Sequence, residues 1–367
     1  MTGNSKRAFH GGASFGAIGE SLQTLDRASH VISADVLDAW YDPSPQVIES
    51  IQRYLPFLVK TSPPTHGEGL REAIARERFL HAENILIGPG TSSLMFLALP
   101  RLVAPTDEVL VLDPSYGEYQ HIVENVIGAR LVRFELPLDS FQPDIGELIA
   151  ACRKVKLAIL VNPNSPTGVG IGPSQVREIL EACPSTNFWI DETYIDYFSL
   201  EAGAPMTAEG LVSQNDNVIV CKSMSKFYGL SGLRVGYLAA PQHLVDGWER
   251  FSPPWSVGLI GQLAAVLALQ DHDYYAAVAA ETRILRHELA TGLSSLGWIV
   301  TPSVTNFLLA RVEGRKAAEI VAKLAEQEIF IRDANNLSPR FGGQWLRTAV
   351  KKREEQDRLL NALATIR

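Results

Sequence analysis

Only three cysteines, Cys152, Cys183 and Cys221, occur in 367 residues, and none share a C-x-x-C spacing. So sparse and odd-numbered a set argues against structural disulfides and fits a reducing cytoplasm. No apolar run is long enough to cross a bilayer, so no membrane partner is expected. The opening residues MTGNSKRAFHGG (1–12) lack the apolar centre of a secretory leader, which again points to a cytoplasmic protein. Basic residues are in deficit, 33 Lys and Arg against 41 Asp and Glu, for a formal net charge of −8. Nucleic acid and anionic lipid both need a basic face, so neither is expected as a partner. Internal repeats and low-complexity tracts are absent as well.

What is present is an alternation. Short apolar runs recur at 83–88 (ENILIG), 107–113 (DEVLVLD), 129–136 (ARLVRFEL), 155–162 (VKLAILVN), 187–192 (NFWIDE), 217–223 (NVIVCKS) and 234–240 (RVGYLAA). Segments with helical apolar spacing, such as Ser174–Cys183, separate most of them. Strands that are apolar throughout are buried on both faces, so the pattern predicts an α/β domain with a mostly parallel sheet. After Pro253–Pro254 the texture changes to a long helical stretch at about 257–296. Short strands, a helix near 315–327 and a closing helix from about 351 follow. The expected division is an N-terminal arm (1–45), a large domain (46–252) and a small α+β domain (253–367).

Five segments carry chemistry. In Ser223-Met-Ser225-Lys226-Phe-Tyr-Gly-Leu-Ser-Gly-Leu-Arg234, a lysine sits just past a strand end among hydroxyls, eight residues before an arginine. The amine can form a Schiff base with an aldehyde, and the serines and guanidinium can bind phosphate. A lysine in a flexible surface loop is the plain alternative. In Phe188-Trp-Ile-Asp191-Glu-Thr-Tyr194, a carboxylate ends an apolar strand. It needs a cationic partner there, or else serves as a helix cap with Tyr194 in the core. Asn162-Pro-Asn164-Ser165-Pro-Thr-Gly168 is a polar turn at the carboxyl edge of the sheet, where open α/β sheets bind ligands. Gly88-Pro-Gly90-Thr91-Ser92 runs into a helix whose free N–H groups form an anion seat. Arg347, inside the apolar strand Trp345-Leu-Arg-Thr-Ala-Val, must find an anion, either a substrate carboxylate or a structural acid.

In this order the segments resemble the fold-type I pyridoxal-5′-phosphate (PLP) enzymes, and within them the histidinol-phosphate aminotransferase and threonine-phosphate decarboxylase branch. The resemblance covers nearly the whole chain; HGG (10–12), PWSV (254–257) and ALQD (268–271) look particularly like the decarboxylases. It implies the aspartate aminotransferase-like fold, with PLP on Lys226, which also moves protons. It implies Asp191 on the ring nitrogen and Tyr194 on the phenolic oxygen, with Tyr116 stacked on the ring. Thr91, Ser92, Ser223, Ser225 and Arg234 would hold the phosphate. Tyr54 would reach the phosphate of a neighbouring subunit, which implies a homodimer with shared sites. Arg347 would clamp the substrate carboxylate, Arg332 would reach the distal end of the substrate, and His10 would lie in the arm over the site.

Two departures stand out. Ser165 occupies the place of the asparagine that usually precedes Pro-Thr-Gly, so either Asn164 turns in toward the phenolic oxygen of the cofactor, the favoured reading, or Ser165 makes a weaker contact there. The arm reads Ser33-Ala-Asp35-Val-Leu-Asp38-Ala-Trp-Tyr41, where the decarboxylases carry an amide-rich run that meets the substrate phosphate. An ionised aspartate cannot donate to phosphate. At about 4 Å and an effective dielectric near 20, the like-charge repulsion costs roughly 4 kcal/mol per unit charge. The arm therefore favours a non-phosphorylated, cationic, arginine-like amino acid, bound by Asp35 and Asp38 and consumed by transamination, elimination, replacement or cyclisation. Threonine-phosphate-type decarboxylation and histidinol-phosphate-like transamination are the alternatives, and a non-catalytic binding protein is the most distant one.

Overall fold

The computed structural model describes residues 11–366; His10 lies outside them. Thirteen strands are present among these residues: β1 (Ile32–Ser33), β2 (Ile85–Gly88), β3 (Glu108–Asp113), β4 (Arg130–Glu135), β5 (Leu157–Val161), β6 (Asn187–Asp191), β7 (Val218–Ser223), β8 (Gly236–Ala239), β9 (Ile299–Val300), β10 (Phe307–Arg311), β11 (Ile329–Phe330), β12 (Arg332–Asp333) and β13 (Trp345–Ala349). Each of the seven apolar runs in the first two-thirds of the chain is a strand. Together they form one sheet in the order β2-β8-β7-β6-β5-β3-β4. Only β8 runs antiparallel to its neighbours. Pleating sends alternate side chains to opposite faces. Leu160, Ile190 and Val220 pack into one apolar layer, and Ile159, Trp189 and Ile219 into the other.

Sheet order reverses at β3: β4 lies on one side of it and β5 on the other. Loops leaving the carboxyl ends of β3 and β5 therefore part, opening the crevice that such a switch creates. Register holds the crevice walls together, since Val161 is opposite Asp191 and Asp191 is opposite Cys221.

The second unit is a four-stranded sheet, β12-β13-β10-β9. Arm strand β1 pairs parallel with β11, and Ala34 accepts from the Ala349 N–H, so residues 32–34 are stitched to this unit. The single helical stretch expected at 257–296 is two helices, Leu259–Gln270 and His272–Ser295. Asp271 divides them, because its carboxylate accepts from the Tyr274 N–H and so caps the second helix. The first of the pair packs on helices Pro45–Lys60 and Glu68–Arg78, beside the large sheet. No helix among the described residues is long and apolar enough to cross a membrane. All three cysteines are free and buried.

Candidate active site

A cavity of about 200 Å³ opens at the carboxyl edge of β5–β7, between the large sheet, the arm and β13. Thr91, Ser92, Tyr116, Asp191, Tyr194, Ser223, Ser225, Lys226, Arg234, Arg347 and Asp35 all line it.

One end is built for an anion. Helix Thr91–Leu102 points its free N–H groups into it, preceded by Gly90 at φ +82°. A side chain at Gly90 would meet the Arg234 guanidinium at 2.6 Å, and one at Gly236 would meet the Thr91 nitrogen at 2.9 Å. Arg234 itself adopts φ +52° and donates to the Ser231 carbonyl and the Ser225 hydroxyl. Ser223 Oγ accepts from the Ser225 N–H. Two glycines, two serines, a guanidinium and a helix terminus thus meet at a place whose donors and charge suit a phosphate.

At the other end Asp191 is buried. Tyr119 donates to it at 2.6 Å, and the Thr193 hydroxyl and N–H donate at 2.7 and 3.0 Å. Trp189 Nε1 in turn donates to the Tyr119 hydroxyl. Burial raises the Asp191 carboxyl above its ordinary range despite those donors. Among the described residues no cation acts on the charged form, and a protonated ring nitrogen would supply one. Tyr119 and Thr193 escaped the reading of the sequence. Thr193 had a local signal, two residues after Asp191; Tyr119 had none, being brought from 72 positions away.

Tyr116 forms one wall. Burial, with Glu118 and Asp191 nearby, pushes its phenol up to about 12, against the pull of Arg347 and a hydrogen bond with Ser92. Tyr194 packs edge-on to Phe307 at 5.0 Å, its phenol raised by burial. Lys226 Nζ donates to Asp38 Oδ1 at 2.8 Å. Burial opposes the charged form of Asp38, but the Lys226 charge and the hydrogen bonds from Lys226 and Ser231 outweigh it and hold the carboxyl below its usual range. These residues suit a phosphorylated pyridine bearing an aldehyde.

Ser165, not Asn164, faces the cavity. Asn164 donates to the Pro114 carbonyl, and its buried Oδ1 has no partner. Asp35 lines the cavity with its Oδ2 held by the arm backbone, accepting from the Gly12 and Ala13 N–H groups at 2.6 and 3.0 Å. Asp38 is likewise taken up by Lys226 and Ser231. Tyr54 lies away from this cavity, 46% exposed on helix Pro45–Lys60.

Arg347 is buried, donating to Ser165 Oγ and the Asp35 carbonyl, and its Nε has no partner. Burial lowers its affinity for a proton. Arg332 is directly opposite it in the β12–β13 register, and burial together with the Arg347 charge brings the Arg332 guanidinium down to about 10. Arg332 donates to Asn336 Oδ1 at 3.0 Å, and Asp333 and Asp35 attract its charge.

Residues 34–363 match the aminotransferase class I and II family. The chain is 30% identical over 357 residues to histidinol-phosphate aminotransferase 2 of Carboxydothermus hydrogenoformans, covering 95% of each chain. It is 29% identical to the histidinol-phosphate aminotransferase of Moorella thermoacetica, covering 88% of this chain and 82% of that one. Among solved structures, the histidinol-phosphate aminotransferase of Sinorhizobium meliloti in complex with pyridoxal-5′-phosphate superposes with a TM-score of 0.80 at 25% identity, over 92% of both chains. The L-threonine-O-3-phosphate decarboxylase of Porphyromonas gingivalis shares the fold, with a TM-score of 0.79 at 21% identity over 91% of this chain and 98% of that one.

Proposed function

The chain belongs to the class I and II aminotransferase family, and from that premise we propose that it transfers the amino group of a phosphorylated, histidinol-phosphate-like amine or amino acid. The fold is the aspartate aminotransferase-like one, the protein is an enzyme, and pyridoxal 5′-phosphate is its cofactor. When bound, the cofactor supplies an electron sink for the carbanion left by proton loss from the substrate.

The chain's own residues have assignable tasks. Lys226 binds the cofactor covalently and carries protons at Nζ. Asp191, held by Tyr119 and Thr193, keeps the ring nitrogen charged. Tyr194 orients the phenolic oxygen, and Tyr116 covers the ring. Thr91, Ser92, Ser223, Ser225 and Arg234 hold the phosphate. Arg347 takes the carboxylate of an amino-acid substrate, and Arg332 the distal anion.

The observation that carries the substrate class is the pairing of Arg332 with Arg347 across β12 and β13. A guanidino substrate would meet two like charges there, while Asp35 Oδ2 already accepts from the arm backbone and Asp38 from Lys226. The arm argument for a cationic, arginine-like substrate is weakened accordingly, since its two acceptors already have donors. The curated relatives named above act on histidinol phosphate by their names, which supports the same choice.

A homodimer belongs to this proposal. Tyr54, Leu55, Phe57 and Val59 are all exposed along one helix, an apolar surface that a second copy would cover while receiving Tyr54.

The test incubates the PLP-loaded protein and a keto acid with histidinol phosphate, phosphothreonine or arginine. Products are read by mass spectrometry. Amino-group transfer from histidinol phosphate is expected; turnover of arginine alone refutes the proposal. Arg332→Ala should raise KM for the phosphorylated substrate by about 10–100-fold, the worth of a charge-assisted hydrogen bond. KM for the keto acid should change less.

A further inference from the structure

Lys226 does not stand alone at the mouth of the cavity. Asp38 Oδ1 accepts from its Nζ at 2.8 Å, and the Ser231 hydroxyl lies 2.6 Å from the same oxygen. Ser231 is also 2.9 Å from the Ser225 carbonyl, which ties the carboxylate to the lysine's own loop.

A second amine stands close by. Lys351 follows β13 by two residues, at the same parity as Arg347 and Ala349, and is 9% exposed. Its side chain forms no ion pair or hydrogen bond among the described residues. The backbone around it is sewn to the arm just before Asp38, at Ala34 directly and at Leu37 through Asn306. Ala349 donates to the Ala34 carbonyl at 2.9 Å, Val350 to Asn306 at 2.8 Å, and the Asn306 amide to the Leu37 carbonyl at 3.1 Å. The charged groups acting on Lys351 are Glu355, Asp38 and Asp35, which attract it, and Lys226, which repels it; burial outweighs the attraction and lowers its proton affinity. Tyr194 and Ser231 also face Asp38.

We propose that Asp38 is a shared counter-ion, serving the nitrogen of Lys226 while that nitrogen is charged, free or joined to the cofactor, and Lys351 once the joined nitrogen has lost its last proton, so that Asp38 and Lys351 set the proton affinity of the linkage nitrogen from opposite sides. This rests on Lys226 being the cofactor lysine. When the Lys226 ammonium meets the cofactor aldehyde, a carbon–nitrogen double bond forms and the carbonyl oxygen leaves as water with two of the nitrogen's protons. The nitrogen keeps one proton and the positive charge, which Asp38 stabilises. When that last proton goes to solvent, residue 226 carries no cation, and Lys351 is the one left beside Asp38. Lys351 therefore favours the neutral linkage and Asp38 the charged one. Both act as positioning residues.

The readout is the visible absorbance of the PLP-loaded protein titrated with pH, with no substrate present. Asp38→Asn should move the midpoint down by about one pH unit, and Lys351→Met should move it up by a similar amount. Asp38→Glu, which keeps the charge, should restore most of the wild-type midpoint. Midpoints that do not move, or that move in the same direction, overturn the proposal. Should Asp38→Asn fail to fold, Lys351→Met decides alone, since an unmoved or lowered midpoint overturns it. Lys226→Ala separates the two readings: a visible band that survives in it sinks the assignment of the cofactor lysine itself, whereas a lost band beside unmoved midpoints sinks only the counter-ion.

Discussion

Lys222 and Lys226 leave the same strand end into opposite environments. β7 alternates its side chains, so Ser223 joins the cavity face with Asp191, while Lys222 turns to the other layer with Glu192. There Lys222 is 2% exposed and lies 3.5–3.6 Å from three carboxylates, Glu192, Asp196 and Glu209. Arg78 pairs with Asp196 at 2.9 Å and lies 4.0 Å from Glu209, and Tyr237 donates to Glu209 at 2.6 Å. Lys226, by contrast, has one carboxylate partner and an open cavity in front of it. A buried cation surrounded by several anions is locked in place, because any movement leaves unpaired charge in low dielectric. A cation with a single, half-exposed partner can exchange it for a covalent bond. Substitutions at the two lysines should therefore fail in different ways.

Lys226→Ala should abolish the visible band and lower turnover by at least about 10²–10⁴-fold, the contribution of a lost acid–base group alone. Its melting temperature should stay near wild type. A large loss of stability would erase the contrast. Lys222→Met should do the reverse. It takes one of two cations, the other being Arg78, from three buried carboxylates and should cost about 3–5 kcal/mol, read by denaturant unfolding. Cofactor-free Lys222→Met unfolding at the wild-type midpoint would show that the cluster holds nothing together.

A subtler test uses pH. Burial drives the Glu192 carboxyl up and Glu209 adds to the rise, against the pull of Lys222, so that it titrates at about 7. The unfolded chain releases that proton near 4.5, so between roughly 4.5 and 7 the folded state binds more protons. The stability that Glu192 contributes is complete below that window and lost as pH rises through it. Glu192→Gln should remove this fall. Asp196 is held below its ordinary range, because Arg78 and Lys222 outweigh the cost of its burial, and it contributes in the opposite sense. Its contribution is present at neutral pH and lost in acid. Melting temperatures from pH 5 to pH 8 should show the variant gaining on wild type as pH rises. An unchanged difference would assign the pH dependence to other groups.

Much of the large domain was legible because a sheet buried on both faces needs continuous apolar runs, and seven such runs are plain in the chain. Lys226, Asp191, Arg234 and Arg347 were legible for a related reason: polar groups within or beside apolar strands need a partner, and the sequence shows the strands. Helix breaks were harder to see. His272–Ser295 begins at Asp271 because a carboxylate there can cap it, yet one aspartate in a long helical period is a faint mark. The charge cluster around Lys222 was not visible either. Its members come from residues 78, 192, 196, 209 and 222, spacings that no local pattern joins.

By itself the sequence determined which segments are strands, where the sheet presents its carboxyl edge, and which lysine, aspartate and arginines stand there. These follow from local pattern and from the cost of burying a polar group. Tertiary structure alone decided how each charge is used. It set Asp35 on the arm backbone and Asp38 on Lys226, placed Arg332 across from Arg347, and turned Ser165 rather than Asn164 into the cavity. Electrostatic partnership depends on distance in space and on burial, and chain order specifies neither.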